Sequence, residues 1–194
     1  MEKIIDHLIE HEIIDREESD LYLYGFKQLK IIVYHLVTYI AIAYCYHEIR
    51  LLLVFLAFFI PLRSYAGGYH ARSQLTCFLL SVTTVIGVLT ILKMNGMGIL
   101  YYQIVALASY AIIAILAPRE NENKPYEDDD KQVYRKRSLL ILSMDALIAI
   151  GMIGLELEKF FACMSLALFL IASLLIIDWA VKNLQRLTHP QKTD

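Results

Sequence analysis

Polar and apolar positions are sorted along this chain into long blocks rather than a fine alternation. Residues 31–47 contain no Asp, Glu, Lys or Arg, and a charge-free apolar block of that length reads as a membrane-crossing helix. The first span is predicted at about 29–46, with Tyr39, Tyr44 and Tyr46 in its outer half, where phenols suit the bilayer interface. The second block, 51–62, has only twelve residues. As a helix it reaches roughly 18 Å, against a hydrocarbon core of about 30 Å. It crosses if the helix continues into 46–50 and 63–65, and is re-entrant otherwise; its Leu, Val and Phe content favours a short span. Further spans are predicted at 75–92, 99–117 (ended by Pro118), 138–155 and 160–181, with breakers Asn95, Gly96 and Gly98 and an acidic turn at 156–159 between them. Residues 118–137 form the one long polar loop. Residues 1–18 alternate Ile4, Ile5, Leu8 and Ile9 with Asp6, Glu10 and Glu12 at helical spacing, an amphipathic helix, and Ser19 or Asp20 suits a helix restart. The pattern predicts an all-α polytopic integral membrane protein, 1–194 as one domain, with about six transmembrane helices and an N-terminal amphipathic helix.

Composition agrees: 58% of the 194 residues are hydrophobic and mean hydropathy is +0.51. The start, MEKIIDHLIE, mixes acids with apolar residues and does not read as a signal peptide. A formal net charge of −2 gives no reason to expect nucleic acid as a partner. The placement of Lys and Arg says more. With 118–137 on the cytoplasmic side, fifteen of the eighteen lie inside and only Arg50, Lys93 and Lys159 outside, which predicts the orientation. Both termini and the 63–77 stretch then face the cytoplasm, where thiols stay reduced. Cys45, Cys77 and Cys163 are odd in number and far apart, unlike a disulfide framework or metal site; neither metal nor cofactor is expected.

The candidate chemistry sits in residues 63–77, RSYAGGYHARSQLTC. Cys77 is a nucleophile once it is a thiolate, and His70 is a side chain able to take its proton, the minimum apparatus for acyl transfer. Gly67 and Gly68 permit a turn with positive φ, and amides around them or at the free start of the third span are candidate oxyanion donors; Ser64 and Ser73 either orient groups or serve as turn and cap residues. The plain alternative is a glycine turn, a solvated His and a packed Cys. A helix running through both His70 and Cys77 would stack them two turns and roughly 10 Å apart, so a break is expected between them, with Ser73 as N-cap of the third span and Cys77 near its first turn. There the helix dipole favours the thiolate. Arg63 suits a substrate carboxylate or carbonyl, or a positive flank to the span.

Arg63, Gly67, Gly68, His70, Ala71 and Cys77, followed downstream by Ala117, Pro118, Asn123, Lys124 and Pro125, resemble the two signature segments of the accessory gene regulator B (AgrB) family. The resemblance covers nearly the whole chain. It implies a bacterial multi-pass membrane cysteine endopeptidase in which Cys77 and His70 cleave a short, membrane-associated, AgrD-like quorum-sensing propeptide. The acyl-enzyme then passes to the substrate's own thiol, closing a thiolactone, or to a hydroxyl, closing a lactone. It also implies a homodimer. Lys124, and the basic run Arg135, Lys136 and Arg137, are candidates to meet an acidic substrate tail; the basic run reads at least as well as the positive flank of the fifth span. Three ionisable groups fall within spans. Asp145 is a candidate to orient His70 or pair with Arg63, with a neutral, hydrogen-bonded structural carboxyl as the slightly favoured alternative; Asp178 is expected to reach water, and His35 reads as a hydrogen-bonded packing residue. Cys45 and Cys163 read as packing residues. The same intramembrane groups leave a transporter or channel as the rival reading.

Overall fold

The chain is described from a computed structural model, for residues 7, 9, 11, 15–69, 73–94, 97–119 and 128–188. The apolar blocks form six helices: α1 Ser19–Tyr46, α2 Ile49–Ala66, α3 Gln74–Met94, α4 Ile99–Leu116, α5 Asp128–Gly154 and α6 Glu158–Thr188. Each contains a stretch long and apolar enough to cross a membrane. Most of the expected 1–18 helix lies outside the described residues; a short 3-10 turn at Arg16–Glu18 leads straight into α1.

The doubtful second block is a continuous helix of 18 residues, roughly 27 Å long. It gains its length mainly at its end, where residues 63–66 stay helical beyond the last leucine. Pro61 lies inside it and removes only one backbone donor. Two helices run further than their apolar blocks. The polar stretch 118–137 is not all loop, because α5 begins at Asp128. The Lys and Arg residues of its first turns are good helix formers. For the same reason α6 runs on past Val181 through Lys182 to Thr188.

On the side of the bundle away from Cys77, two tight turns close the helix pairs in the same way. His47 takes a left-handed φ of 58°, with Glu48 N–H donating to Ala43 O at 2.9 Å and His47 N–H to Tyr44 O at 3.0 Å. Glu156 does the same at φ 56°, with Leu157 N–H to Met152 O at 2.9 Å. Both satisfy carbonyls that a helix end would otherwise leave open.

Helix α6 is the centre of the bundle, packed chiefly against α4 and α2; α5 lies against α2, and α1 against α3 and α2. Along α6, Cys163, Met164, Ala167, Leu168, Ile171 and Leu175 are completely buried. Its small residues, Ala162, Cys163, Ser165, Ala167 and Ala172, let neighbouring backbones approach, as helix contacts in a bilayer require. Two of them also bond across helices: Ser165 Oγ–H donates to Tyr102 O at 2.8 Å, and Cys163 Sγ–H to Leu51 O at 3.2 Å. Ile32, Leu36, Leu107, Ile115, Leu147 and Ile150 point outward, a surface that lipid would cover.

Candidate functional site

The segment between α2 and α3 is held by its neighbours rather than by its own residues. Helix α2 stops at Gly67, whose φ is 73°, and Gly68 follows at φ 108°. Gly67 N–H donates to Arg63 O at 3.3 Å, closing the helix. Gly67 also forms an isolated parallel bridge with Arg119, with Arg119 N–H donating to Ala66 O at 2.9 Å. A Cβ on Gly67 would overlap the Arg119 carbonyl, and one on Gly68 would press on the Arg63 guanidinium at 3.0 Å. Glycine is required at both positions, at the first by space as well as by φ. Two residues on, Tyr69 N–H donates to Leu174 O of α6 at 3.2 Å.

Arg63 turns its guanidinium back on this same turn. It donates to the carbonyls of Gly67, of Gly68 at 3.4 Å and of Tyr69 at 2.5 Å. Its five donors in a rigid fork suit three successive carbonyls, which a lysine would not span. Arg119, which the sequence did not single out, anchors the other side. Its Nε donates to Asp178 Oδ2 at 2.9 Å, and Lys182 Nζ stands 3.3 Å from the same oxygen. Asp178 is therefore buried in an ion-paired cluster rather than open to water. The only sequence signal for this pair was an acid inside a span, which calls for a cation partner; nothing in the sequence pointed to Arg119, 59 residues away. Arg135 of the basic run donates to Ala117 O at 2.8 Å, and Arg137 lies over the Tyr65 ring at 5.5 Å. Both are thus used to tie α5 to the ends of α4 and α2.

Helix α3 begins directly after Ser73, and the expected cap forms. Thr76 N–H donates to Ser73 Oγ at 3.0 Å, and the two hydroxyls are 2.7 Å apart. Cys77 N–H makes the first helical bond, to Ser73 O at 3.0 Å. Cys77 thus closes the first turn of α3, half-buried, where the free amides of the helix start favour negative charge. Ser81 Oγ–H donates to Cys77 O at 2.8 Å, and the Tyr39 hydroxyl of α1 faces Ser81 beside Cys77. His70 lies outside the described residues, as do Ala71, Asn123, Lys124 and Pro125. Because Ser73 is not helical, no single helix carries both His70 and Cys77.

Asp145 belongs to α5, and its expected contact with His70 lies outside the described residues. It is 5% exposed on α5, beside Tyr110 of α4. Among the described residues neither Asp145 Oδ2 nor Tyr110 Oη has a hydrogen-bond partner, and Asp145 makes no pair with Arg63. Cys163 is sealed in the core and Cys45 is exposed on α1. A cavity of about 120 Å³, lined by Leu92, Tyr102, Glu158 and Lys159 among others, opens at the far end of the bundle from Cys77.

The family profile described as accessory gene regulator B matches residues 1–179. An AgrB-like protein of Lactiplantibacillus plantarum is 26% identical over 132 residues, 68% of this chain and 66% of that relative, just under two thirds of its length. An AgrB-like protein of Clostridium perfringens is 29% identical over 159 residues, 77% of this chain and 74% of the relative. No solved structure matches the chain significantly. A profile match over almost the full length, on a bundle of six membrane-length helices, makes this chain a member of the accessory gene regulator B family.

Proposed function

We propose that the protein is a membrane cysteine endopeptidase acting on a short, membrane-associated propeptide, with Cys77 as nucleophile and His70 as its base. The observation that carries this reading is the capped start of α3, which sets the half-buried Cys77 thiol at the positive end of a helix dipole. His70 takes the thiol proton, Cys77 attacks the scissile carbonyl, and the proton passes to the departing amine of the C-terminal part. The amides of Gln74 and Leu75, which helix geometry leaves without intrahelical acceptors, are the donors nearest the developing oxyanion. Arg63 and the two glycines fix the turn that immediately precedes His70. The thioester is then resolved by the substrate's own thiol, and a membrane-shielded site lets that thiol win over water. Lys124 is assigned to the acidic part of the substrate, and two copies of the chain form the working unit.

The direct test is to trap the acyl-enzyme. Protein in vesicles, given a synthetic peptide with an amphipathic start, one internal cysteine and an acidic tail, should acquire a hydroxylamine-labile adduct that Cys77→Ala lacks. Cleavage that proceeds without any Cys77-dependent adduct would remove the thioester step.

The chemistry is assigned to the cytoplasmic face, from the Lys and Arg asymmetry. A single cysteine placed at Glu122 should react with an impermeant maleimide only after cells are permeabilised. Labelling in intact cells would reverse the orientation.

A further inference from the structure

The chain has a second imidazole at the level of the nucleophile. Three of the contacts between α1 and α3 set their register: His35 packs its ring edge on Phe78 at 5.2 Å, Tyr39 faces Ser81, and Tyr46 Oη lies 3.0 Å from Thr90 Oγ1. These contacts advance together along both helices, so α1 and α3 run parallel in one register. Cys77 precedes Phe78 by one residue, and it shares a helix face with Ser81, four residues on. Its side chain therefore lies on the α1 side of α3, one turn before Tyr39, at the level of Tyr34 and His35. Tyr34 is 65% exposed and faces outward, whereas His35 is half-buried. His35 Nδ1–H donates to Ile31 O at 2.8 Å, which fixes the tautomer and leaves Nε2 as the acceptor nitrogen. The ring is held further by Tyr39, at 5.8 Å between centroids.

A cyclising peptidase must deprotonate two thiols at one carbonyl: its own in acylation, and the substrate's in ring closure. Resting on the reading of Cys77 and His70 above, we propose that His35 is the base of the second step. The substrate thiol gives its proton to His35 Nε2 as its sulfur attacks the acyl carbonyl. The bond from Cys77 Sγ to the acyl group breaks, and the Cys77 thiolate recovers the proton from His35. No oxidant or other reactant is needed, and His70 has already completed its transfer to the departing amine.

The test separates the two steps, using the same vesicles and synthetic cysteine-bearing peptide. His35→Phe keeps the aromatic contact with Phe78 but has no acceptor nitrogen. It should form the acyl-enzyme within about twofold of the wild-type rate, yet release cyclic product about tenfold or more slowly. The adduct should accumulate, and the share of linear, hydrolysed peptide should rise. His35→Gln, which retains hydrogen-bonding capacity but no base, should show the same partition and guards against a folding defect in His35→Phe. Wild-type cyclisation in either variant, or equal loss of acylation and cyclisation in both, overturns the proposal. Failure of the Cys77 reading looks different: wild-type protein would then form no Cys77-dependent adduct at all.

Discussion

Cys77→Ala and His70→Ala should each lower propeptide cleavage by at least about a thousandfold while the protein still inserts at its normal level. The contrast between the two measurements is what identifies chemistry. Among the described residues, the side-chain hydrogen bond at Cys77 runs from Ser81 to its carbonyl, not to its thiol, so removing the sulfur leaves the helix start intact. Alanine is also the best helix former for the first turn of α3. Cys163→Ala makes the opposite trade. It removes a buried contact with Leu51 O and costs about 1 kcal/mol of stability, yet the thiol is on α6, inside the core, and cleavage should continue. Cys45→Ala, on the exposed side of α1, should be close to silent in both measurements. Cleavage and membrane yield are read together by mass spectrometry and quantitative blotting. Residual cleavage in Cys77→Ala would remove the peptidase assignment.

Gly67→Ala should be nearly as damaging, through geometry alone. With φ 73° and ψ −146° this position lies in backbone space that essentially only glycine occupies, and an alanine there costs roughly 1–3 kcal/mol in strain. Its Cβ would also meet a backbone carbonyl, Arg119 O, which cannot rotate away as a side chain would. The parallel bridge must open, and the Arg119 N–H to Ala66 O bond goes with it, a further loss of about 1–3 kcal/mol if those groups stay unpaired. The turn would then sit wrongly for His70, and cleavage should fall by about a hundredfold. Gly87→Ala is the control: that glycine lies mid-α3, with nothing within 4 Å of an added Cβ. Wild-type cleavage by Gly67→Ala would show that the bridge to Arg119 has no part in positioning the turn.

Sequence reasoning reached the spans because charge-free blocks of this length have few other solutions. It reached the Ser73 cap because a hydroxyl before an apolar block has a local purpose, and Ser73 and Thr76 meet within one turn. It left the roles of Gly67 and Arg63 open because those depend on parts distant in the chain. The Gly67 turn is shaped by Arg119, and the Arg63 fork is explained by three carbonyls whose arrangement exists only after the turn has formed. Asp178 was expected to reach water since its position near a span end permits that, but Arg119 closes over it. The start of α5 was misplaced for a different reason: polarity marks the bilayer boundary, and helices do not stop there. His35 read as packing, and its bond to Ile31 O agrees; its level with Cys77 follows only from the register of α1 on α3.

The tie from Tyr69 to Leu174, with the Arg119–Asp178 pair beside it, bears on the order of biosynthesis. Cys77 and His70 leave the ribosome less than halfway through synthesis, but the two α6 groups that fasten their turn come near the end. A nascent chain therefore carries Gly67, Gly68 and Tyr69 through much of its translation without the α6 groups that hold their turn. The turn ahead of α3 therefore takes its final form only once the last helix has been inserted.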